Sequence, residues 1–331
     1  MLALTATHAD VLWSEAMHAS SCAPLRIAMT GSNGFIGIAL HDHLHASGHE
    51  VIRLVRNTAH DASHEASWNP TAPFQLSEDL SGLDAVVHLA GANIAERRWT
   101  RRRRTLLRSS RVEATQHLVA ALMNLPEPPR AFVQASAIGW YGNRGDDVLS
   151  ESASSGTGFL AALANDWEQA GAPIASDHTR RVVLRIGMVL HSDGGAIKRL
   201  RPLFRLGLGG PLGSGRQWVS WIARDDLVAL IEQSCSDERL AGPINAVAPI
   251  PVRNAELTRS IARWCHRPAI VPAPPWGLRL ALGCMADELL LASQRCQPGV
   301  LNAMNHPFRH QTVDSALSGN SSIAAIPPQK P

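Results

Sequence analysis

The chain of 331 residues is 45% hydrophobic and 18% charged, a composition that buries a sizeable core and excludes a disordered polymer. Its formal charge of +3 is too small to call for a nucleic-acid partner. Five cysteines, at 22, 235, 265, 284 and 296, form no Cys-x-x-Cys pair, which indicates neither a disulfide framework nor a zinc site and fits a reducing cytoplasm.

In chain order, residues 1–24 read as a flexible extension. Asp10 and Glu15 interrupt any apolar core and no basic leader precedes them, so no signal peptide is expected. Leu25 to Met29 reads as a strand, and Gly37 to Ala46, closed by Gly48, as the helix after it. Between them LRIAMTGSNGFIG sets glycines at 31, 34 and 37. A strand that turns sharply into a helix through such a loop is built to hold a pyrophosphate. Gly31 permits the tight turn, Gly34 lets the backbone approach the phosphates, and Gly37 lets the helix pack on the strand.

Val51 to Val55 is the next expected strand, with Arg56 just beyond it and no acid before Asp61. In a dinucleotide fold an acid there binds the free 2′-hydroxyl of NAD, whereas arginine suits the 2′-phosphate of NADP. NADP(H) is therefore favoured over NAD(H). Strands are expected over Leu83–Leu89, Ala131–Ser136 and Arg181–Ile186, and helices over Thr100–Met123 and Phe159–Gln169. This alternation predicts an α/β fold, a doubly wound parallel sheet of Rossmann type.

Beyond residue 190 the texture changes. Glycines and prolines mark a loop-rich region, Asp225–Ser234 reads as helix, Gly242–Pro275 is rich in proline, and 276–296 holds one or two helices. No run reaches the ~18 apolar residues of a membrane span, so no membrane partner is expected. The chain ends, from 318 to 331, in a flexible tail.

Several clusters invite a chemical reading. Arg101, Arg104, Arg108 and Arg111 share one face of the expected long helix, as a wall of a ligand cleft or as a solvated face; a nucleic-acid role comes second. His41 and His45 have the spacing of a metal pair but no third ligand, so no metal is expected. Trp218 and Trp221 suit either a substrate pocket or a core.

TGSNGFIG, HLAG at 88–91, SAIGWYG at 136–142, LRIGMVL at 184–190 and WIARDDL at 221–227 resemble, in order, the extended short-chain dehydrogenase/reductase superfamily. GANIAERRWT at 91–100, SSRVEAT at 109–115, RLGLGGPLGSGRQWVSWI at 205–222 and GPINAVAPIPVRN at 242–254 resemble one branch, the epimerase family proteins with a C-terminal domain of unknown function.

The resemblance implies an NADP-binding Rossmann domain over 25–190, with 217–248 returning to it. A smaller substrate lobe is formed from 191–216 and 249–317. It places Gly31, Ser32, Asn33, Gly34, Phe35, Ile36 and Gly37 around the pyrophosphate, Arg56 at the 2′-phosphate, and Leu89, Ala90 and Gly91 along the adenosine and nicotinamide. Ser136 matches the serine that holds a substrate oxygen.

The superfamily's Tyr-x-x-x-Lys proton-transfer pair is missing. The chain has a single tyrosine, Tyr141, and its lysines are Lys198 and Lys330. Aligned on Glu168, the expected window reads Phe159-Leu-Ala-Ala-Leu-Ala164. Hydride transfer at a carbonyl needs a matched proton transfer, for which Tyr141 is the one phenol, although the resemblance sets that position as a packing or substrate-wall residue. The expectation is an NADP(H)-dependent oxidoreductase or epimerase acting on a small polar substrate by an atypical relay. The alternative is a non-catalytic redox sensor. A homo-oligomer is compatible with either.

Overall fold

The computed structural model describes residues 23–56 and 63–319; all but the end of the expected N-terminal extension and all but the start of the expected tail lie outside them. Seven strands, β1 (Arg26–Thr30), β2 (Glu50–Val55), β3 (Glu65–Ser67), β4 (Ala85–His88), β5 (Ala131–Ala137), β6 (Arg180–Ile186) and β7 (Gly242–Ala246), form the main sheet. They run in the order 3-2-1-4-5-6-7, and every pairing is parallel. The order reverses between β1 and β4, and the crevice beyond the carboxyl ends of these two strands is where such sheets take ligands.

Helices α1 (Phe35–Ala46), α2 (Arg101–Ser109), α3 (Val112–Met123), α4 (Phe159–Ala170), α5 (Gly195–Arg205), α6 (Arg224–Ser236), α7 (Asn254–Cys265) and α8 (Pro275–Leu282) follow in chain order. Side chains on a strand alternate between its faces, and the two cores obey that period. Ile27 and Met29 of β1 pack with Leu40 and Leu44 of α1 and Leu227, Leu230 and Ile231 of α6. Ala28, Ile52, Val86 and Phe132 face the other way, onto Leu118 and Leu122 of α3. A third core of Leu190, Ile197, Phe204, Trp221, Leu257 and Ile261 joins α5 and α7 beyond the sheet. Trp221 is thus a core residue.

The helix expected over Thr100–Met123 is two helices. Ser110 and Arg111 separate α2 from α3. The Ser110 hydroxyl accepts the Ala92 N–H (3.1 Å), which ties the break to the loop after β4. Arg111 consequently leaves the face shared by Arg101, Arg104 and Arg108, which line a hollow of about 340 Å³ with Trp99, Thr105 and Phe159.

Glu232 of α6 clamps the neighbouring layer. Its carboxylate accepts from His43 Nε2 (2.6 Å) and His49 Nε2 (3.1 Å). His49 Nδ1 accepts the Leu25 N–H, so its proton sits on Nε2. Burial alone would raise the Glu232 pKa, but the hydrogen bonds from His43, Ser47 and His49 outweigh it and hold the group at about 2. An acid depressed in the folded state stabilises above its unfolded pKa, near 4.5, and loses that contribution as pH falls towards 2. Glu232→Gln is expected to destabilise the protein at pH 7 by about 1–3 kcal/mol and to flatten the loss of stability between pH 4.5 and 2. Denaturant titrations across that range read both effects, and an unchanged acid slope would remove Glu232 as their source.

Candidate functional site

The chain reverses directly from β1 into α1. Gly31 adopts φ +74, and a Cβ on it would stand 2.9 Å from the Leu89 carbonyl carbon, so the turn lies flush against the end of β4. A Cβ on Gly37 would stand 2.1 Å from the Gly31 oxygen, inside the turn itself. Gly34 is the N-cap of α1, which receives no side-chain cap and has no acid in its first turn. The leading N–H groups and the positive end of the helix dipole are thus left for an anionic ligand.

Around the turn, Ser32 is buried and Asn33 exposed, while Ile36 packs against the core. The Phe35 ring fills the space beside Gly194, where a Cβ would come within 1.9 Å of it. Phe35 also lies 6.3 Å from the His191 ring and 5.5 Å from the Arg224 guanidinium. The entry to α5 is therefore packed directly on the glycine loop. Burial and the neighbouring Arg224 hold the His191 pKa below its usual value.

Leu89, Ala90 and Gly91 leave β4 on the opposite wall, positioned by a buried polar chain. Ala90 N–H donates to Thr30 Oγ1 (3.2 Å), and Thr30 Oγ1 lies 2.7 Å from His88 Nδ1. His88 Nε2 lies 2.9 Å from Thr115 Oγ1. Thr115 donates to the Arg111 carbonyl and accepts Trp167 Nε1–H. One proton arrangement satisfies every group: Thr30 donates to Nδ1, and His88 carries its proton on Nε2. Burial pushes the His88 pKa down to about 3, so the ring stays neutral at physiological pH.

Gly91 is small because Arg111 is there; a Cβ on it would stand 3.1 Å from the Arg111 guanidinium carbon. That guanidinium also lies over the Trp167 ring at 5.1 Å. Burial, with Arg103 nearby, lowers the Arg111 pKa to about 10, which leaves it cationic at neutral pH. The sequence marked Arg111 only as one of a helical row; the break between α2 and α3 turns it to this wall. Arg56 is exposed immediately past β2.

The expected catalytic pair has a different setting. Ser136 is 3% exposed and Tyr141 0%. Ser136 donates to Glu168 Oε1 (2.7 Å), and Arg185 grips both oxygens of Glu168 at 3.0 Å. The Tyr141 hydroxyl donates to Asn245 Oδ1 (2.7 Å) and accepts from Arg185 Nη1 (3.1 Å). Burial raises the Tyr141 pKa to about 12, against the opposing pull of Arg185. Both hydroxyls are engaged inside a buried ion-pair network.

The window where the resemblance sets the missing proton-transfer pair, 159–164, lies on α4. Its first turns are apolar and covered: Phe159, Leu160 and Leu163 pack with Trp99, Leu107, Leu282 and Met285. Gly158 supplies no cap, so Glu288 reaches in from the C-terminal segment and accepts the Leu160 N–H at 2.7 Å. Trp218, the other expected pocket aromatic, is half-buried between the Arg253 and Arg295 guanidinium groups at 3.9 and 4.7 Å. Among the described residues no group of three or more His, Cys, Asp or Glu is placed to hold a metal.

Residues 27–161 match the family model of the NAD dependent epimerase/dehydratase family, and residues 273–319 match a domain of unknown function, DUF1731. An epimerase family protein of Mycobacterium tuberculosis is 42% identical over 88% of this chain and 96% of its own. The chain belongs to the epimerase family. The human member SDR39U1 is 33% identical over 88% of this chain and 98% of its own. A crystal structure of human SDR39U1 with NADPH superposes with a TM-score of 0.81, at 32% identity over 88% of this chain and 97% of that one. A nucleoside-diphosphate sugar epimerase from Corynebacterium glutamicum superposes with a TM-score of 0.75, at 35% identity over 93% of this chain and 61% of that longer one.

Proposed function

We propose that this family member binds NADP(H) at the glycine turn and acts as an NADP(H)-dependent oxidoreductase or epimerase on a small polar substrate. The observation that supports this most directly is the cradle itself: two positions where only hydrogen fits, closing on an uncapped helix N-terminus. Gly31 to Gly37 would hold the pyrophosphate, Arg56 the 2′-phosphate, and Leu89 to Gly91 the nicotinamide side. The human relative solved with NADPH agrees with the choice of nucleotide. When bound, the nicotinamide supplies a hydride donor or acceptor. The residues of the chain bind it, orient it and exclude water through Phe35 and the entry to α5.

A second reading, a cofactor-sensing protein without turnover, draws on the apolar start of α4, whose own residues 159–164 carry no ionisable side chain in place of the missing tyrosine and lysine. Fluorescence titration with NADPH and NADH distinguishes the cofactor step from the chemistry. NADPH is expected to bind tighter, and Arg56→Ala to lose about 10–100-fold in NADPH affinity, the worth of a charge-assisted contact, with little effect on NADH. Equal affinity for both nucleotides would refute the role of Arg56. With binding established, nicotinamide-linked turnover on a panel of small carbonyl and hydroxyl compounds favours the enzyme, and its absence favours the sensor.

A further inference from the structure

Two stretches beyond the sheet run side by side. Val271 donates its N–H to Gly209 (3.2 Å), Ala273 to Pro211 (3.0 Å) and Gly213 to Ala273 (2.9 Å), while Arg267 Nε reaches the Arg205 carbonyl (3.2 Å). The approach is close enough that a Cβ on Gly210 would stand 1.9 Å from the Val271 oxygen. Helix α8 continues the second stretch directly.

This ribbon and its helix present apolar side chains to solvent. Leu206 is 73% exposed, Leu208 56%, Ile270 75%, and Trp276 and Leu280, one turn apart on α8, 70% and 74%. Single exposed aliphatics are ordinary, but such a concentration marks an interaction surface. The charge carried by the two stretches themselves has one sign. Residues 194–224 contain Lys198, Arg199, Arg201, Arg205, Arg216 and Arg224 and no acid, and residues 257–286 contain four arginines and no acid. Arg263 and Arg279 are paired with Asp314 and Asp287. Lys198, Arg201, Arg205 and Arg267 have no carboxylate partner among the described residues.

We propose that this face docks peripherally on an anionic lipid bilayer. Trp276, Leu280, Ile270 and Leu206 seat at headgroup depth, and the unpaired cations lie over lipid phosphates. Leucine, isoleucine and tryptophan beside lysine and arginine is the composition of an interfacial surface. A second copy of the chain would set like charges against each other, and a nucleic acid would leave the apolar residues exposed. The contact is a surface one: no helix among the described residues is long and apolar enough to cross a membrane. The proposal does not depend on the cofactor reading.

Flotation of the full chain with vesicles of phosphatidylcholine, alone or with about 30% phosphatidylglycerol, tests it. Binding to the anionic vesicles is expected to be at least about tenfold tighter than to the neutral ones and to fall steeply at ~0.5 M salt. Trp276→Ser/Leu280→Ser should abolish flotation. Met123→Ser, a surface change on α3, should not, and circular dichroism melts verify that both variants are folded. No flotation at low salt, or equal flotation with both vesicles, would overturn the proposal. So would a dimer in solution that the double variant dissociates without any vesicle binding, which assigns the face to a second copy.

Discussion

Arg185→Met is expected to destabilise the protein by about 3–5 kcal/mol. The Arg185 and Glu168 side chains are 5% and 11% exposed. Replacing the guanidinium leaves the Glu168 carboxylate buried with the Ser136 hydroxyl as its remaining side-chain donor. The same change removes the Nη1 donor to Tyr141 and the stack on Trp140 at 3.6 Å. Most of the cost is the orphaned charge, because a buried pair's attraction is largely spent on its own desolvation. Arg185→Met/Glu168→Leu should therefore recover much of the loss, a coupling that urea denaturation of the four proteins in a double-mutant cycle measures. If the double variant is as unstable as the sum of the two single changes, the pair is not the source.

The second large effect is at the turn. Gly37→Ala is expected to cost NADPH at least about 100-fold in affinity, because the new methyl group meets the Gly31 carbonyl at 2.1 Å and backbone must move to admit it. Gly48→Ala is the control. Gly48 has φ +83 but nothing within 4 Å of an added Cβ, so it pays only backbone strain, about 1 kcal/mol, and should leave NADPH affinity unchanged. Near-native NADPH binding by Gly37→Ala would show that the turn does not shape the nucleotide site.

The sheet was legible because parallel strands buried on both faces read as short apolar runs between helical periods. The glycine turn was legible because three backbone requirements fall within seven residues. β3 was missed: its three residues, Glu65 to Ser67, carry no apolar run. β7 was missed because Gly242 and Pro243 disguise a strand held by its neighbour β6. The surroundings of the expected catalytic pair were hidden for a related reason. Ser136 and Tyr141 are the residue types that chemistry needs, but only the fold reveals that Glu168, Arg185 and Asn245 converge on their hydroxyls. Arg111 was hidden within a run of arginines until Ser110 broke the helix. The lipid-facing surface was invisible to a search for long apolar runs, because its two halves are some sixty residues apart in the chain and meet only as a ribbon.

Phe35 belongs to the glycine turn, yet its ring is seated against Gly194 at the head of α5. That aromatic contact joins the glycine turn to the entry of α5. If a ligand on one side favours one posture of that contact, thermodynamic reciprocity requires a ligand on the other side to be favoured by the same factor. A nucleotide at the turn and a ligand held by α5 would then report on each other's presence, however little of their own atoms ever touch.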